Sequence, residues 1–289
     1  MTVQLFFQLL INGLSIGLLY ALVALGLVLV LGVAKVFNFA HGEFFMVGAY
    51  ALYTFSVILH LGFIVSIVLA GLTVALLGAL CSKTIFQLVS GSILKAAATT
   101  IGLGMILQQA VLQIFGTAQR GVKPILPGFV ALGGVRLSLE RLVIIGCCLL
   151  LVGILAWFLN RTKTGIAMRA TNLDEETATL QGINSKRMYF LAIAIGSGLA
   201  GIAGGIVAPI RALNTDMGHT MLFYVLMVLV LGGMQSAIGA ICGGLILGIV
   251  LSFGFHFLGG LSELVLFFVI GVFIMFKPHG LFGREVEVQ

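Results

Sequence analysis

The N-terminal stretch LFFQLLINGLSIGLLYALVALGLVLVLGVAKVFNFAHGEFF, Leu5 to Phe45, decides the fold of this chain. Its first part, Leu5 to Leu31, is predominantly apolar and carries no charged residue, and about 20 such residues suffice to cross a bilayer as a helix. Comparable runs recur along a chain that is 61% hydrophobic and 8% charged, against about 25% charged residues in a typical soluble domain. We find none of the short alternating segments that build membrane β-barrels. The sequence therefore predicts an all-α polytopic membrane protein.

The apolar runs predict about nine transmembrane helices, within a range of eight to ten. The region from Met221 to Leu258 is too long for one span, and we expect Gly232-Gly233-Met234-Gln235-Ser236 to divide it into two. Residues Gly116 to Arg136 read as a loop, and Pro209 to His219 as a polar connection. The other predicted spans are Leu5–Leu31, Val36–His60, Leu61–Leu80, Ala96–Phe115, Leu139–Leu159, Met188–Val207 and Leu261–Phe276, with approximate ends.

Basic residues indicate the orientation, because cytoplasmic loops of membrane proteins carry an excess of lysine and arginine. If Asn160 to Lys186 is cytoplasmic, ten basic residues lie inside and five outside, with the N-terminus outside and the C-terminus inside. The inner ones are Lys35, Lys83, Lys95, Arg161, Lys163, Arg169, Lys186, Arg187, Lys277 and Arg284; the outer ones are Arg120, Lys123, Arg136, Arg141 and Arg211. The net charge of +6 is therefore a topology signal and gives no reason to expect a nucleic-acid partner.

The segment after Lys35 interrupts the apolar pattern with polar residues among phenylalanines. Asn38, His41 and Glu43 lie within six residues of one another. A carboxylate at the bilayer centre is unfavourable by roughly 2.5–3.5 kcal/mol on insertion scales, so it should face protein or a wet cavity. Two interpretations stay open: the three side chains line a translocation pathway beside a broken helix, or they cap the start of a span near the interface.

The most polar part of the chain is NRTKTGIAMRATNLDEETATLQGINSK, Asn160 to Lys186. We expect Thr171 or Asn172 to cap a short helix whose first turn holds the acids. Ala178 and Gly182, four residues apart, are predicted to share one face, with Gly182 ending the helix. The segment fits either a solvated loop or a helix that docks on a soluble partner.

Other patterns limit the function. The sequence has no G-x-x-x-x-G-K-[ST] phosphate loop, and its five histidines and four cysteines stand without metal-ligand or catalytic spacing. We expect no catalytic residues, no metal and no cofactor in this chain. The N-terminus lacks the basic region and cleavage site of a signal peptide, so its first apolar run is taken as a span.

A set of motifs in fixed order resembles the permeases of branched-chain amino-acid ABC importers of the LivH type. The first is the run from Gly13 to Tyr50, in which Phe37-Asn38-Phe39-Ala40-His41-Gly42-Glu43 is the most specific piece. Single Gly-x3-Gly patterns within the later motifs read as ordinary helix packing. Those later motifs are TGIAMRAT (Thr164–Thr171), Ala178-x3-Gly182-Ile183-Asn184, GSGLAGIAGG (Gly196–Gly205), LGGMQSAIGAICGG (Leu231–Gly244) and KPHGLFG (Lys277–Gly283).

The resemblance implies a single permease domain, residues 1–289, in the bacterial inner membrane, with a cytoplasmic coupling segment at about 160–187. It implies that Arg169, Asp174, Glu175, Ala178 and Gly182 couple the chain to an ATPase. The approach Asp174-Glu175-Glu176-Thr177 departs from the common pattern of the family, which leaves open which acid contacts the partner.

The partners that the resemblance implies are a second homologous permease, two cytoplasmic ATP-binding subunits that hold the ATP, and an external substrate-binding protein, besides membrane lipid. An ion-coupled secondary transporter of small polar or zwitterionic solutes is the alternative. It would need buried acid–base pairs, and in the sequence neither Glu43 nor Glu263 has an evident partner.

Overall fold

The computed structural model describes residues 3–86, 93–124, 126–132 and 135–283. Arg284, counted above among the inner charges, and the side chain of Arg136 lie outside the described part. The elements are α1 Val3–Ala34, α2 His41–Tyr53, α3 Phe63–Cys81, α4 Ile93–Phe115, β1 Phe129–Leu132, β2 Val135–Ser138, α5 Leu139–Arg161, α6 Lys163–Leu173, α7 Glu175–Leu180, α8 Ser185–Val207, α9 Met217–Gly232, α10 Ala237–Leu258 and α11 Leu261–Phe276. Single π-helical turns, Thr54–Ile58 and Ser82–Phe86, extend α2 and α3.

The all-α polytopic class is confirmed. Six helical stretches of the described residues are long and apolar enough to cross a membrane, and one of them, Ala237–Phe276, contains both α10 and α11. The predicted spans coincide with α1 to α5 and α8 to α11. As expected, the non-helical residues 233–236 separate α9 from α10. Since α2 and α9 are short, the number of complete crossings stays an approximate prediction.

The predicted loop from Gly116 to Arg136 contains a β-hairpin that the sequence analysis missed. Strand β1 pairs with β2 in antiparallel register, Phe129 opposite Ser138 and Leu132 opposite Val135. Two glycines between short apolar strands are a known hairpin signal. Pro124 and Pro127, which favour a loop, precede the hairpin and lie outside both strands.

The chain forms two compact units. The first unit comprises residues 1–28, 124–149 and 223–289. Within it, α1 and α10 approach backbone to backbone, since a Cβ at Gly17 would lie 2.7 Å from the carbonyl oxygen of Gly244. Gly232 and Gly239 face each other in the same way across the α9–α10 turn. Small residues permit such close packing of membrane helices.

The second unit comprises residues 29–123 and 150–222. Helix α8 is its centre: Gly204 lies against the backbone of Phe45 in α2, and Gly201 lies against Val74 in α3. Gly48 of α2 meets the backbone of Gly201. The Gly-x3-Gly patterns are therefore packing features, as expected.

Candidate functional site

The polar segment from Asn160 to Lys186 folds as two short helices in the second unit, each with a side-chain cap. Thr162 Oγ1 accepts the Gly165 N–H at the start of α6 (3.0 Å), and Asp174 Oδ1 accepts the Thr177 N–H at the start of α7 (3.1 Å). The prediction that Thr171 or Asn172 provides the cap is wrong. Thr171 lies fully buried inside α6, where its hydroxyl donates to the Ala167 carbonyl (2.9 Å). The acids Glu175 and Glu176 do occupy the first turn of α7.

Asp174 is held by two hydrogen bonds from one residue. Its carboxylate accepts from the Thr177 hydroxyl and from the Thr177 backbone N–H. Both bonds favour the ionised carboxylate, so they lower the pKa of Asp174 below its ordinary value of 3.8. The cap is therefore fully charged at neutral pH.

Ala178 and Gly182 do not share one face of the helix, contrary to the prediction. Ala178 is only 4% exposed and packs inside the chain, whereas Gly182 is exposed and lies beyond the helix. Gly182 does end α7, with φ at +84°. Its N–H bonds to the Thr179 carbonyl (2.9 Å), and the Ile183 N–H bonds to the Ala178 carbonyl (3.1 Å), which is a Schellman motif.

An open groove of about 710 Å³ runs along this segment. Two apolar side chains border it, Leu173 at 75% and Leu180 at 82% exposure. Lys35 joins the end of α1 to α7 by an ion pair with Glu175 (Nζ–Oε2, 3.6 Å). The groove is lined by Lys35, Leu173, Asp174, Glu175, Glu176, Thr179 and Leu180.

The sequence analysis missed the two leucines, although two large apolar residues seven apart in a polar segment were a usable signal. The structure brings Asp174 and Glu175 to the groove together. Arg169 does not line it; its guanidinium donates to the side-chain oxygen of Asn160.

A second polar region begins where the helix breaks after Ala34. Lys35 takes a positive φ of 53°, and no helix resumes until His41. The Phe39 N–H donates to Thr100 Oγ1 (3.2 Å) and the Ala40 N–H to Asn38 Oδ1 (3.0 Å). Backbone freed from a helix inside a membrane needs such partners. The residue at the N-cap of α2 is Ala40, which makes no side-chain cap.

Glu43 lies at the mid-depth of the second unit. A Cβ at Gly104, the central residue of α4, would lie 3.4 Å from its Cγ. Gly104 is eleven residues, or about 16 Å, from either end of α4, and this helix is long and apolar enough to span a bilayer. Asn38, His41 and Glu43 are all buried. The interpretation as an interfacial cap therefore does not describe Glu43, while a pathway role stays a prediction.

The partner of Glu43 is His219, whose Nδ1 lies 2.6 Å from Oε1. The other carboxylate oxygen lies against Gly218, the second residue of α9. This partner was not evident from the sequence, because the two residues are 176 positions apart in the chain. Helix α9 thus starts beside the middle of α4, rather than at an outer surface.

The segment that leads to α9 descends along α4. Leu213 exchanges backbone hydrogen bonds with Arg120, beyond the outer end of α4. Farther along, Gln108 Nε2 donates to the Thr215 carbonyl and to Asp216 Oδ1, both at 3.2 Å. The polar connection from Pro209 to His219 is therefore partly a re-entrant segment.

Comparison with known proteins agrees with this architecture. A sequence profile described as "Branched-chain amino acid transport system / permease component" matches residues 9–276. The chain belongs to this family. It is 30% identical to the high-affinity branched-chain amino acid transport system permease protein BraD of Pseudomonas aeruginosa, over 98% of this chain and 97% of that protein.

Two further relatives of this permease carry the name LivH. The Escherichia coli K12 protein is 29% identical over 98% of this chain and 97% of its own length. The probable branched-chain amino acid transport permease protein LivH of Methanocaldococcus jannaschii is 30% identical over 92% and 89%. No solved structure matches the chain. The permease is thus a multi-pass protein of the inner membrane, and the resemblance seen in its motifs is confirmed.

The first unit of the permease contains another carboxylate whose partner the sequence did not reveal. The Tyr224 hydroxyl of α9 donates to Glu263 in the first turn of α11. The ring of Tyr224 also lies 5.0 Å from that of Tyr20. Within the described residues, no group of three His, Cys, Asp or Glu side chains is placed to hold a metal ion.

Proposed function

We propose that this chain is the membrane-spanning permease subunit of an ATP-driven importer of branched-chain or related small amino acids. Family membership over residues 9–276 and relatives aligned end to end support the transport role. An external binding protein delivers the substrate, a second homologous permease completes the pathway, and two separate cytoplasmic subunits bind ATP. The chain itself acts as a transport component without catalytic residues or a cofactor of its own.

The observation that carries the coupling role is the groove beside α7. In a polar segment, Leu173 and Leu180 expose most of their side chains next to three acids, Asp174, Glu175 and Glu176. An exposed apolar pair with a polar rim is typical of a protein–protein contact. A soluble ATPase subunit that buries both leucines would therefore pull or push on α7.

Two internal contacts connect α7 to the rest of the second unit. Ala178 packs inside the chain, and Glu175 pairs with Lys35 at the end of α1. A movement of α7 consequently acts on the start of the broken segment, eight residues before Glu43. In this proposal Asp174 and Gly182 shape α7 and Glu175 borders the contact, while Arg169 on α6 lies outside the groove and acts through its hydrogen bond to Asn160.

Co-purification from membranes tests this proposal. We expect an ATP-binding subunit to accompany the wild-type chain, and to be lost when Leu173→Ser and Leu180→Ser are combined. The matched control combines Lys186→Ser and Arg187→Ser, two exposed changes in the same segment outside the groove. Absence of any ATP-binding subunit from the wild-type preparation under gentle detergent would contradict the importer assignment.

The Glu43–His219 pair favours one alternative, an ion-coupled secondary transporter, because such carriers need buried acid–base pairs. Vesicles containing this chain alone separate the two functions. Leucine uptake driven by an imposed proton gradient without ATP supports the carrier. Uptake that requires ATP and the partner subunits supports the importer.

A further inference from the structure

Two polar side chains of the second unit are exposed at a depth where lipid would surround them. Asp216 is bound to Gln108, seven residues before the outer end of α4, and the His219 side chain is 50% exposed beside the middle of α4. Ionisable groups inside a membrane face a wet cavity or a protein partner rather than lipid. The start of α9 should therefore face a wet cavity or a protein partner rather than lipid.

Glu43 determines how His219 is presented. The Glu43 side chain is 3% exposed and its Oε1 lies 2.6 Å from His219 Nδ1, which leaves Nε2 as the ring nitrogen that this contact does not use. With one hydrogen shared between Nδ1 and Oε1, an Nε2 that carries the other ring hydrogen donates away from Glu43. Glycines at positions 104 and 218 lie against the Glu43 side chain on two sides, which positions the carboxyl group that contacts the ring.

The N-terminus of α9 adds to the same preference. Peptide dipoles and first-turn N–H groups favour an anion at a helix start, and α9 starts in the membrane interior with 16 residues behind it. Discontinuous helices of transporters bind anionic substrate groups in this manner. Asp216 immediately precedes α9, and Gln108 donates to one of its carboxylate oxygens. Asp216 lies three residues from His219, and this spacing places both side chains on one side of the helix start.

We propose that His219, presented by Glu43, and Asp216 form a transient subsite for the two charged groups of an α-amino acid in the translocation pathway. His219 receives the substrate carboxylate, and Asp216 receives the ammonium group. The subsite rests on the proposed amino-acid transport function and deepens it. A hydrogen-bond donor and a carboxylate three residues apart match a zwitterion, whose two charged groups are close together, better than they match a simple anion or cation.

Transport kinetics of the reconstituted importer test the role of His219. The Asn side chain in His219→Asn places an amide N–H near the Nδ1 position and keeps a donor for Glu43, but removes the outward donor. We expect this variant to insert normally and to lose roughly tenfold or more in kcat/KM for ATP-driven leucine uptake, the usual effect of deleting a hydrogen bond to a charged group. His219→Gln, which keeps an outward donor, should lose less.

His256→Gln is the matched control, since it removes an exposed histidine near the end of α10 in the first unit. We expect wild-type uptake from it. Equal, wild-type kcat/KM for both His219 variants would overturn the subsite. Loss of uptake with the wild-type chain itself would instead contradict the importer function, so the two failures are distinguishable.

Chemical labelling tests the location. In a variant that lacks the four native cysteines, Thr220→Cys, at the exposed residue next to His219, should react with a water-soluble, membrane-impermeant thiol reagent in the assembled transporter. Leucine should slow the reaction severalfold, whereas leucinol, without a carboxylate, and isocaproate, without an ammonium group, should protect weakly. Failure of the reagent to reach this position, or equal protection by all three compounds, would refute the assignment.

Discussion

Gly182 allows a test of whether backbone conformation or close contact limits the coupling segment. Its φ of +84° is a conformation that L side chains rarely adopt, and a Cβ there would meet nothing within 4 Å. A non-glycine residue in the left-handed region loses roughly 1–2 kcal/mol, with Asn tolerated best. Since α7 has only six residues, its folding depends on the cap at each end.

We therefore expect Gly182→Ala and Gly182→Val to raise the population of unfolded α7 by about 5- to 30-fold. Gly182→Asn should have a much smaller effect. Hydrogen exchange of residues 174–184 in the purified permease measures this population directly, and ATP-driven uptake of the assembled importer measures its consequence. A Gly182→Trp variant should behave like Gly182→Ala in exchange, because the site has room.

The order of Asn and Ala decides the question, since Asn is larger but accepts the left-handed conformation. If the backbone limits the segment, Asn is better tolerated than Ala. The opposite result would be higher uptake for Gly182→Ala than for Gly182→Asn, with the lowest uptake for Gly182→Trp and unchanged hydrogen exchange in all three variants. A partner would then pack against Gly182, and the conformational argument would be refuted.

Three further predictions concern other parts of the chain. Asp174→Ala should destabilise α7 more than Asp174→Asn. Hydrogen bonds lower the pKa of Asp174 in the folded chain, so the stability that its charge gives to α7 should be complete above about pH 4 and should be lost as the pH falls through that lowered pKa. Hydrogen exchange at acidic pH measures this loss. Gly218→Ala should destabilise the permease by about 1–3 kcal/mol in denaturant titrations, because a Cβ there would overlap the buried carboxyl group of Glu43. Gly104→Ala, on the other side of Glu43, has room for the Cβ and should be tolerated. Gly48→Ala should push α2 away from α8 and lower the melting temperature of the permease. Gly153→Ala, on an open face of α5, should leave the melting temperature unchanged or raise it. Equal effects of the two variants would contradict the close contact between α2 and α8.

Local rules were sufficient for part of the coupling segment and insufficient for the rest. Gly182 was correctly predicted as the helix end, because glycine is favoured where φ becomes positive. The cap was predicted at Thr171 or Asn172, but the structure places it at Asp174. The segment contains several residues that can cap a helix, and the sequence does not show that Thr171 is buried inside α6. The prediction that Ala178 and Gly182 share one face of the helix was also wrong, because residue spacing does not show that α7 ends before Gly182 or that Ala178 packs inside the chain.

The sequence by itself determined the all-α membrane class, the positions of the apolar helices and the family. Uncharged runs near 20 residues long have one stable arrangement in a bilayer, in which each helix satisfies its own backbone hydrogen bonds. Only the tertiary structure decided which polar residues meet. Glu43 and His219 are paired because α9 starts beside the middle of α4. Contacts between residues that are distant in the chain depend on how the helices pack, and hydrophobic patterns do not specify that packing.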